Sequence, residues 1–80
     1  MNTYKIISKE QREDTLITKV EFNINDTVVV CDVNHFMVIS EDEILVNIQN
    51  MANYQEARLN AISTMQEIKE NIELNVIKNL

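Results

Sequence analysis

The 80-residue sequence has no glycine, no proline and no tryptophan, and it contains one cysteine and one histidine. A lone cysteine excludes an intramolecular disulfide, and one cysteine with one histidine cannot supply the four ligands of a usual structural zinc site. A chain of this length buries only about 60 per cent of its unfolded surface, so small domains often gain stability by oligomerisation. We therefore expect one domain, residues 1–80, that is stabilised by association.

Basic residues are also few. The chain has 7 lysines and arginines and 13 acidic residues, which gives a formal net charge of −6. A negative protein repels the phosphate backbone, so no direct binding to nucleic acid is expected. The sequence shows no secretory signal and no apolar run long enough to span a membrane. We expect a protein that acts or assembles inside a cell without membrane contact.

Two stretches of alternating apolar and polar residues, Leu16–Ile24 and Thr27–Val33, are separated by Asn25 and Asp26. This pattern predicts a β-hairpin with a two-residue loop, since Asn and Asp tolerate the positive φ angles of such a turn. The loop sets the register, and it places four pairs of residues opposite each other: Ile24 with Thr27, Phe22 with Val29, Val20 with Cys31, and Lys19 with Asp32.

One face of this hairpin is largely apolar and is expected to be buried, because alternate residues of a strand share a face. Its members are Thr18, Val20, Phe22, Val29, Cys31 and Val33. On the opposite face, Lys19 and Asp32 are expected to form a cross-strand ion pair.

The N-terminal run Thr3–Ser8 predicts another strand, joined to the hairpin by the charged loop Lys9–Asp14. A short connection of this kind favours a meander. Residues 34–38 must turn the chain, and Phe36 and Val38 are expected to seal the end of the core. The predicted fold is α+β, a three-stranded antiparallel β-meander over residues 1–39 followed by one long C-terminal α-helix.

The start of the helix has several independent signals. Ser40 can accept from the amide of Glu43 while the Glu43 carboxylate reaches back to the amide of Ser40, which is a capping box. Ile39 and Ile44 have the spacing of a hydrophobic staple. The acidic residues 41–43 also suit the positive end of the helix dipole. The pattern predicts a helix over residues 40–79.

A single helix of that length would span about 58 Å, whereas strands of seven or eight residues reach only about 25 Å. Half of the helix therefore cannot pack on its own sheet. Either the helix breaks, within Asn47–Asn53 or Asn60–Thr64, or its outer half needs a partner. We favour a partner, because a helical hairpin normally uses Gly or Pro at its turn and the chain has neither.

A helical wheel places the apolar residues of the helix in an arc about 160° wide. The same arc contains Gln55, Arg58 and Lys69, which either fix register within an association seam or extend their aliphatic parts along an ordinary core. We expect residues 63–80, approximately, to be an association surface. The proposed interface comprises Arg58, Ile62, Met65, Lys69, Ile72, Val76 and Leu80.

The sequence has few candidates for catalytic or metal-binding residues. Cys31 lies on the predicted core face, where a thiol behaves as a small apolar group, and no orienting carboxylate can be assigned to His35. Both are expected to be structural. Residues 41–43 lack the spacing and the glycine of a calcium loop, so helix capping is the favoured interpretation. We predict no catalytic residue, no metal ligand and no cofactor, and we do not expect an enzyme.

Part of the chain resembles a known group of proteins at three short segments and one residue: Val33–Phe36, Ser40–Ile44, Asn47–Ile48 and Glu56. Through them the chain, from about residue 20 to about residue 59, resembles small tailed-phage proteins in which a β-hairpin leads through a His-Phe corner and a Ser-Glu cap into a long helix. The resemblance implies a virion component or a host-takeover factor, located in the virion or the host cytoplasm. It implies no catalytic residues.

The sequence is therefore compatible with two functions. The first is a structural subunit that packs through its C-terminal helix into a larger assembly such as a capsid, neck or tail. The alternative is an acidic inhibitor of a host protein, with Glu67, Glu70 and Glu73 imitating phosphates. A net charge of −6 is low for such mimicry, and the length of the helix favours the first. A toxin–antitoxin or regulatory dimer would also explain the helix, but no residue favours it.

Overall fold

The structure, a computed structural model, describes residues 2–80. Its elements in chain order are β1 (Thr3–Arg12), β2 (Thr15–Ile24), β3 (Thr27–Phe36) and α1 (Glu41–Asn71). The strands form one antiparallel sheet in the order β1-β2-β3. The predicted α+β fold, a three-stranded antiparallel meander followed by one long helix, is confirmed.

The hairpin between β2 and β3 has the predicted loop and the predicted register. Asn25 and Asp26 have φ angles of 50° and 65°, which are the left-handed values that a two-residue hairpin loop requires. All four predicted pairs are present, from Ile24 opposite Thr27 to Lys19 opposite Asp32. The predicted ion pair of Lys19 with Asp32 is wrong, because among residues 2–80 the cross-strand ion pair joins Lys5 to Glu21 at 3.5 Å.

The first strand is longer than the sequence pattern predicted. β1 continues through the expected charged loop as far as Arg12, and only Glu13 and Asp14 form the turn to β2. Charged residues are tolerated in β1 because each of its residues is exposed. The register shifts between Ile6 and Ser8, which leaves one extra residue in β1 as a β-bulge.

The core lies between the helix and the two strands of the hairpin. Its fully buried apolar residues are Val20, Phe22, Ile24, Val33 and Ile48. Partly buried residues that pack against them are Cys31, Ile44, Met51, Ala52 and Leu59. α1 packs on β2 and β3, so β1 lies to one side of the helix. The predicted buried face of the hairpin is correct, although Val29 and Cys31 are only partly buried.

The corner between β3 and α1 differs from the expectation in two ways. Phe36 does not seal the core, because its side chain is 65% exposed at the end of β3. His35 does not lie in a turn, because β3 continues through it and buries its ring completely. The corner is instead held by the backbone, since the amide of Met37 donates to the carbonyl oxygen of Asp14 at 2.8 Å. Val38 is partly buried.

The helix is continuous through Asn47–Asn53 and Asn60–Thr64, the two segments where the sequence allows a break, but it ends earlier than predicted, at Asn71. Its 31 residues span about 46 Å, whereas the ten-residue strands span about 33 Å. The molecule is accordingly elongated, with a Cα radius of gyration of 18.1 Å. A compact chain of this length would have about 12 Å.

Candidate interaction surface

The N-terminus of α1 is anchored by its cap. The amide of Glu43 donates to Ser40 Oγ at 3.4 Å, and Glu43 Oε2 accepts from the amide of Ser40 at 3.1 Å. The same carboxylate oxygen also accepts from the amide of Ile39 at 2.6 Å. The capping box is present, but the staple is not, because Ile39 is 92% exposed and cannot pack against the partly buried Ile44.

Beyond Leu59, α1 is not covered by any residue that the structure describes. Every residue of the segment 60–71, called the outer segment below, is exposed. Three of its exposed side chains are large and apolar, with exposed fractions of 43% for Ile62, 58% for Met65 and 52% for Ile68. Most helical stability in proteins comes from packing of an apolar face, and the apolar face of this segment is exposed. The outer segment is therefore a helical surface on which a partner could bury apolar side chains.

Three of the seven proposed interface residues lie outside the helix: Ile72, Val76 and Leu80. Ile72 is the C-cap, with the extended angles φ −71° and ψ 120°. Glu73 follows at the negative end of the helix dipole, where a carboxylate disfavours a further helical turn. Residues 72–80 are all exposed, so no residue that the structure describes stabilises a helix there by packing. The prediction that these residues continue the helical surface is wrong. Arg58, Ile62, Met65 and Lys69 are helical and exposed, as the interface required.

A second stripe of α1 begins before the outer segment and continues along it. Its residues are Tyr54, Arg58, Ala61, Met65 and Ile68, and each of them is exposed. Their separations of four, three, four and three residues keep them on one side of a helix, as in the seam of a coiled coil. We call this set the helix stripe. It lies beside the buried face of α1, whose members Ile48 and Gln55 contact the sheet.

Gln55 is the buried polar residue of the helix. Its Nε2 lies 3.6 Å from Met51 Sδ and 3.9 Å from Cys31 Sγ, both of which are weak acceptors. Its Oε1 is buried without a hydrogen-bond partner. Gln55 therefore belongs to the core of its own domain, whereas Arg58 and Lys69, placed with it in the sequence-based apolar arc, are exposed. Burial and the neighbouring Asp32 raise the pKa of the Cys31 thiol, which keeps it protonated near neutral pH.

His35 is used entirely for internal hydrogen bonding. Its Nδ1 accepts from Asn47 Nδ2 at 3.0 Å, so the ring proton is on Nε2. Nε2 then donates to Thr18 Oγ1 at 2.9 Å, and that hydroxyl donates to the carbonyl oxygen of Val33 at 3.5 Å. Burial lowers the pKa of His35, which favours the neutral ring that this chain of bonds requires.

An open groove of about 410 Å³ runs between β3 and the helix. Its walls are formed by Asp32, Val33 and Asn34 of the strand and by Asn47, Asn50, Met51 and Tyr54 of the helix. Tyr54 is the first residue of the helix stripe, so the stripe and the free edge of β3 lie on the same side of the molecule. The sequence does not predict this shared side, because a helical wheel does not show which face of the helix lies beside the edge of a sheet.

Within residues 2–80, no group of three or more His, Cys, Asp and Glu side chains is placed to hold a metal ion. No helix in the same part of the chain is both long enough and apolar enough to cross a membrane. Comparison with protein-family models, with curated proteins and with solved structures finds no match to this chain.

Proposed function

We propose that the protein is a non-enzymatic assembly subunit that packs through the outer part of its C-terminal helix into a larger complex. The single observation that supports this most strongly is the exposure of the whole segment 60–71, including Ile62, Met65 and Ile68. Soluble monomers seldom leave such apolar stripes uncovered, and burial of apolar surface contributes about 25 cal/mol for each Å².

Two further observations support a binding role over a catalytic one. His35 uses both ring nitrogens in internal hydrogen bonds and is fully buried, which removes it from contact with a substrate. The Cys31 thiol has a raised pKa, whereas nucleophilic cysteines usually have a lowered one. The side chains that most often act as base and nucleophile are thus part of the core.

The larger complex that we propose is a virion structure, such as a capsid, neck or tail, in keeping with the resemblance to tailed-phage proteins. The sheet and the first half of α1 form the folded body, and the outer segment is presented at one end of the molecule. This arrangement lets the body fold independently while the helix docks on a neighbour.

Quantitative mass spectrometry of purified particles tests the proposal. The chain should be present at a fixed copy number, and a Met65→Asp plus Ile68→Asp double variant should be lost from the particles, because burying two unpaired carboxylates is strongly unfavourable. The matched control is Glu67→Gln plus Glu70→Gln, which changes the other side of the same helical turns and should be incorporated normally. Absence of the wild-type chain from particles, with presence only in infected-cell lysate, would contradict the proposal.

A further inference from the structure

The two edges of the sheet differ in how well they are protected against pairing with another strand. β1 has a bulge between Ile6 and Ser8, and it includes Lys5, Lys9 and Arg12. Bulges and basic side chains are the usual devices that block an edge. β3 pairs with β2 without interruption along its ten residues and contains no Lys, Arg or Pro. The β3 edge is therefore open to a further strand.

The register shows which backbone groups of β3 are free. Residues that flank a two-residue hairpin loop form a hydrogen-bonded pair, and such pairs alternate with non-hydrogen-bonded ones along the ladder. Ile24 and Thr27 flank the loop in this structure. Consequently Val28, Val30 and Asp32 direct their backbone N–H and C=O groups away from β2, toward the open edge. These groups can pair with an extended strand from another molecule.

The helix stripe lies on the same side of the molecule as the free edge of β3. Tyr54 lines the groove at the β3 side of α1, together with Asn47 and Asn50. Gln49, Ala52 and Glu56 lie on the other side of the helix, where they line a separate groove with Asn2 and Tyr4 near β1. The stripe from Tyr54 to Ile68 therefore extends the β3 edge into a continuous surface made of strand and helix.

We propose that this surface binds a second copy of the chain, with the two β3 strands antiparallel in one six-stranded sheet and the two helices side by side on its face. The inference deepens the proposed function and rests on it for the helix as an association surface, because it names the first partner as another copy.

The dimensions of the fold suit this arrangement. Neighbouring strands lie about 4.8 Å apart, and α1 packs over β2 and β3, close to the line between them. Each helix axis would then lie about 4.8 Å from the two-fold axis, which separates the two helices by about 9.6 Å. Packed helices are usually 8–10 Å apart, so pairing of the strands brings the helices into contact distance without rearrangement.

Charge and side-chain chemistry favour one register, with Val30 opposite Val30 of the second copy. Asp32 is then opposite Val28, whereas a two-fold axis at Asp32 would bring two carboxylates together, which is unfavourable. Gln55 lies over Cys31, so the two-fold axis passes beside the helix within one turn of Gln55. The antiparallel helices then place Arg58 of one copy near Tyr54 of the other, a favourable cation–π pairing.

The area that a dimer interface requires is a small part of the molecular surface. A standard interface buries about 800 Å² on each partner. The accessible surface of one chain is 6747 Å², so about an eighth of it would be covered. The exposed edge of β3, the groove beside it and the helix stripe are the parts of that surface that the second copy would cover.

Hydrogen exchange measured by NMR on the wild-type chain at several concentrations tests the pairing without any substitution. The amides of Val28, Val30 and Asp32 should become protected as concentration rises, because they are free in one copy and bonded between two. The matched control is the opposite edge, where the amides of Tyr4 and Ile6 should exchange at the same rate throughout. Unchanged exchange at β3, or equal changes at both edges, would overturn the inference.

Analytical ultracentrifugation of Val30→Pro provides the second test. Proline at position 30 removes a donor that points away from β2, so the internal ladder should survive, and circular dichroism checks this. Two intermolecular hydrogen bonds are lost from each dimer, and the dissociation constant should rise about tenfold or more. Ile6→Pro makes the matched change on the β1 edge and should leave association unchanged.

The outcomes also separate this inference from the proposed function. If Val30→Pro associates like the wild type while Met65→Asp plus Ile68→Asp prevents association, pairing through β3 is wrong and association through the helix remains supported. A wild-type chain that sediments as a monomer at every concentration overturns the pairing. In that case quantitative mass spectrometry of purified particles still tests the proposed function.

Discussion

Asn47 Nδ2 donates a hydrogen bond to His35 Nδ1 at 3.0 Å, which joins the second turn of α1 to the end of β3. Because the amide is a donor, the bond forms only with the neutral imidazole. The contact between helix and sheet therefore contains a group whose protonation is incompatible with the native hydrogen bonds.

Stability should consequently depend on pH through His35. Its pKa in the folded chain lies below the ordinary value of about 6.5, so below that pH the unfolded chain binds a proton that the folded chain does not. The free energy of unfolding should be level well above pH 6.5, fall as the pH drops through 6.5, and stop falling well below the folded pKa. Urea unfolding at a series of pH values measures this.

The control for that prediction is Asn47→Asp. A carboxylate at position 47 accepts a hydrogen bond from a protonated Nδ1 and favours the charged ring, so the pKa of His35 should rise and the decline should disappear or reverse. An equal decline in this variant and the wild type would assign the effect to another group.

Replacing Ser40 with alanine should lower the free energy of unfolding by about 1 kcal/mol, because the amide of Glu43 loses its acceptor at the start of α1. The matched control is Ser63→Ala, the same substitution at an exposed position within the helix. There alanine is the better helix former and should be neutral or slightly stabilising. Thermal unfolding monitored by circular dichroism compares the two, and equal melting temperatures would show that the cap does not matter.

Phe22 is the largest of the fully buried side chains, with 1% of its surface exposed beneath the helix. Phe22→Ala should cost about 3–5 kcal/mol, enough to unfold most of so small a domain. Glu21→Ala, on the other face of the same strand, removes only the exposed ion pair with Lys5 and should cost less than about 1 kcal/mol. Similar melting temperatures for the two variants would contradict the observed burial.

Gln55→Leu should raise the free energy of unfolding, by about 1 kcal/mol, because it removes the buried and unpaired Oε1 and retains much of the side-chain volume. Gln49→Leu is the control, since Gln49 is exposed and its amide bonds to Asn53 at 2.9 Å on the helix surface. A loss of stability at position 55 would mean that the contacts with Cys31 and Met51 outweigh the unpaired oxygen.

The sequence by itself determined the order of elements, the hairpin register and the start of the helix. These features depend on groups close together in the chain, namely the alternation around Asn25 and Asp26 and the reciprocal bonds of Ser40 and Glu43. Such local interactions are readable because side-chain period, turn angles and cap geometry follow from residue type.

Only the tertiary structure decided which parts of these elements are covered. The burial of His35 depends on Thr18 and Asn47, which are distant in sequence, and the exposure of α1 beyond Leu59 depends on how far the sheet extends beneath the helix. The sequence likewise does not predict the position of the helix stripe relative to the β3 edge. A helical period defines faces around one axis, whereas the choice of the face that meets the sheet is a long-range packing result.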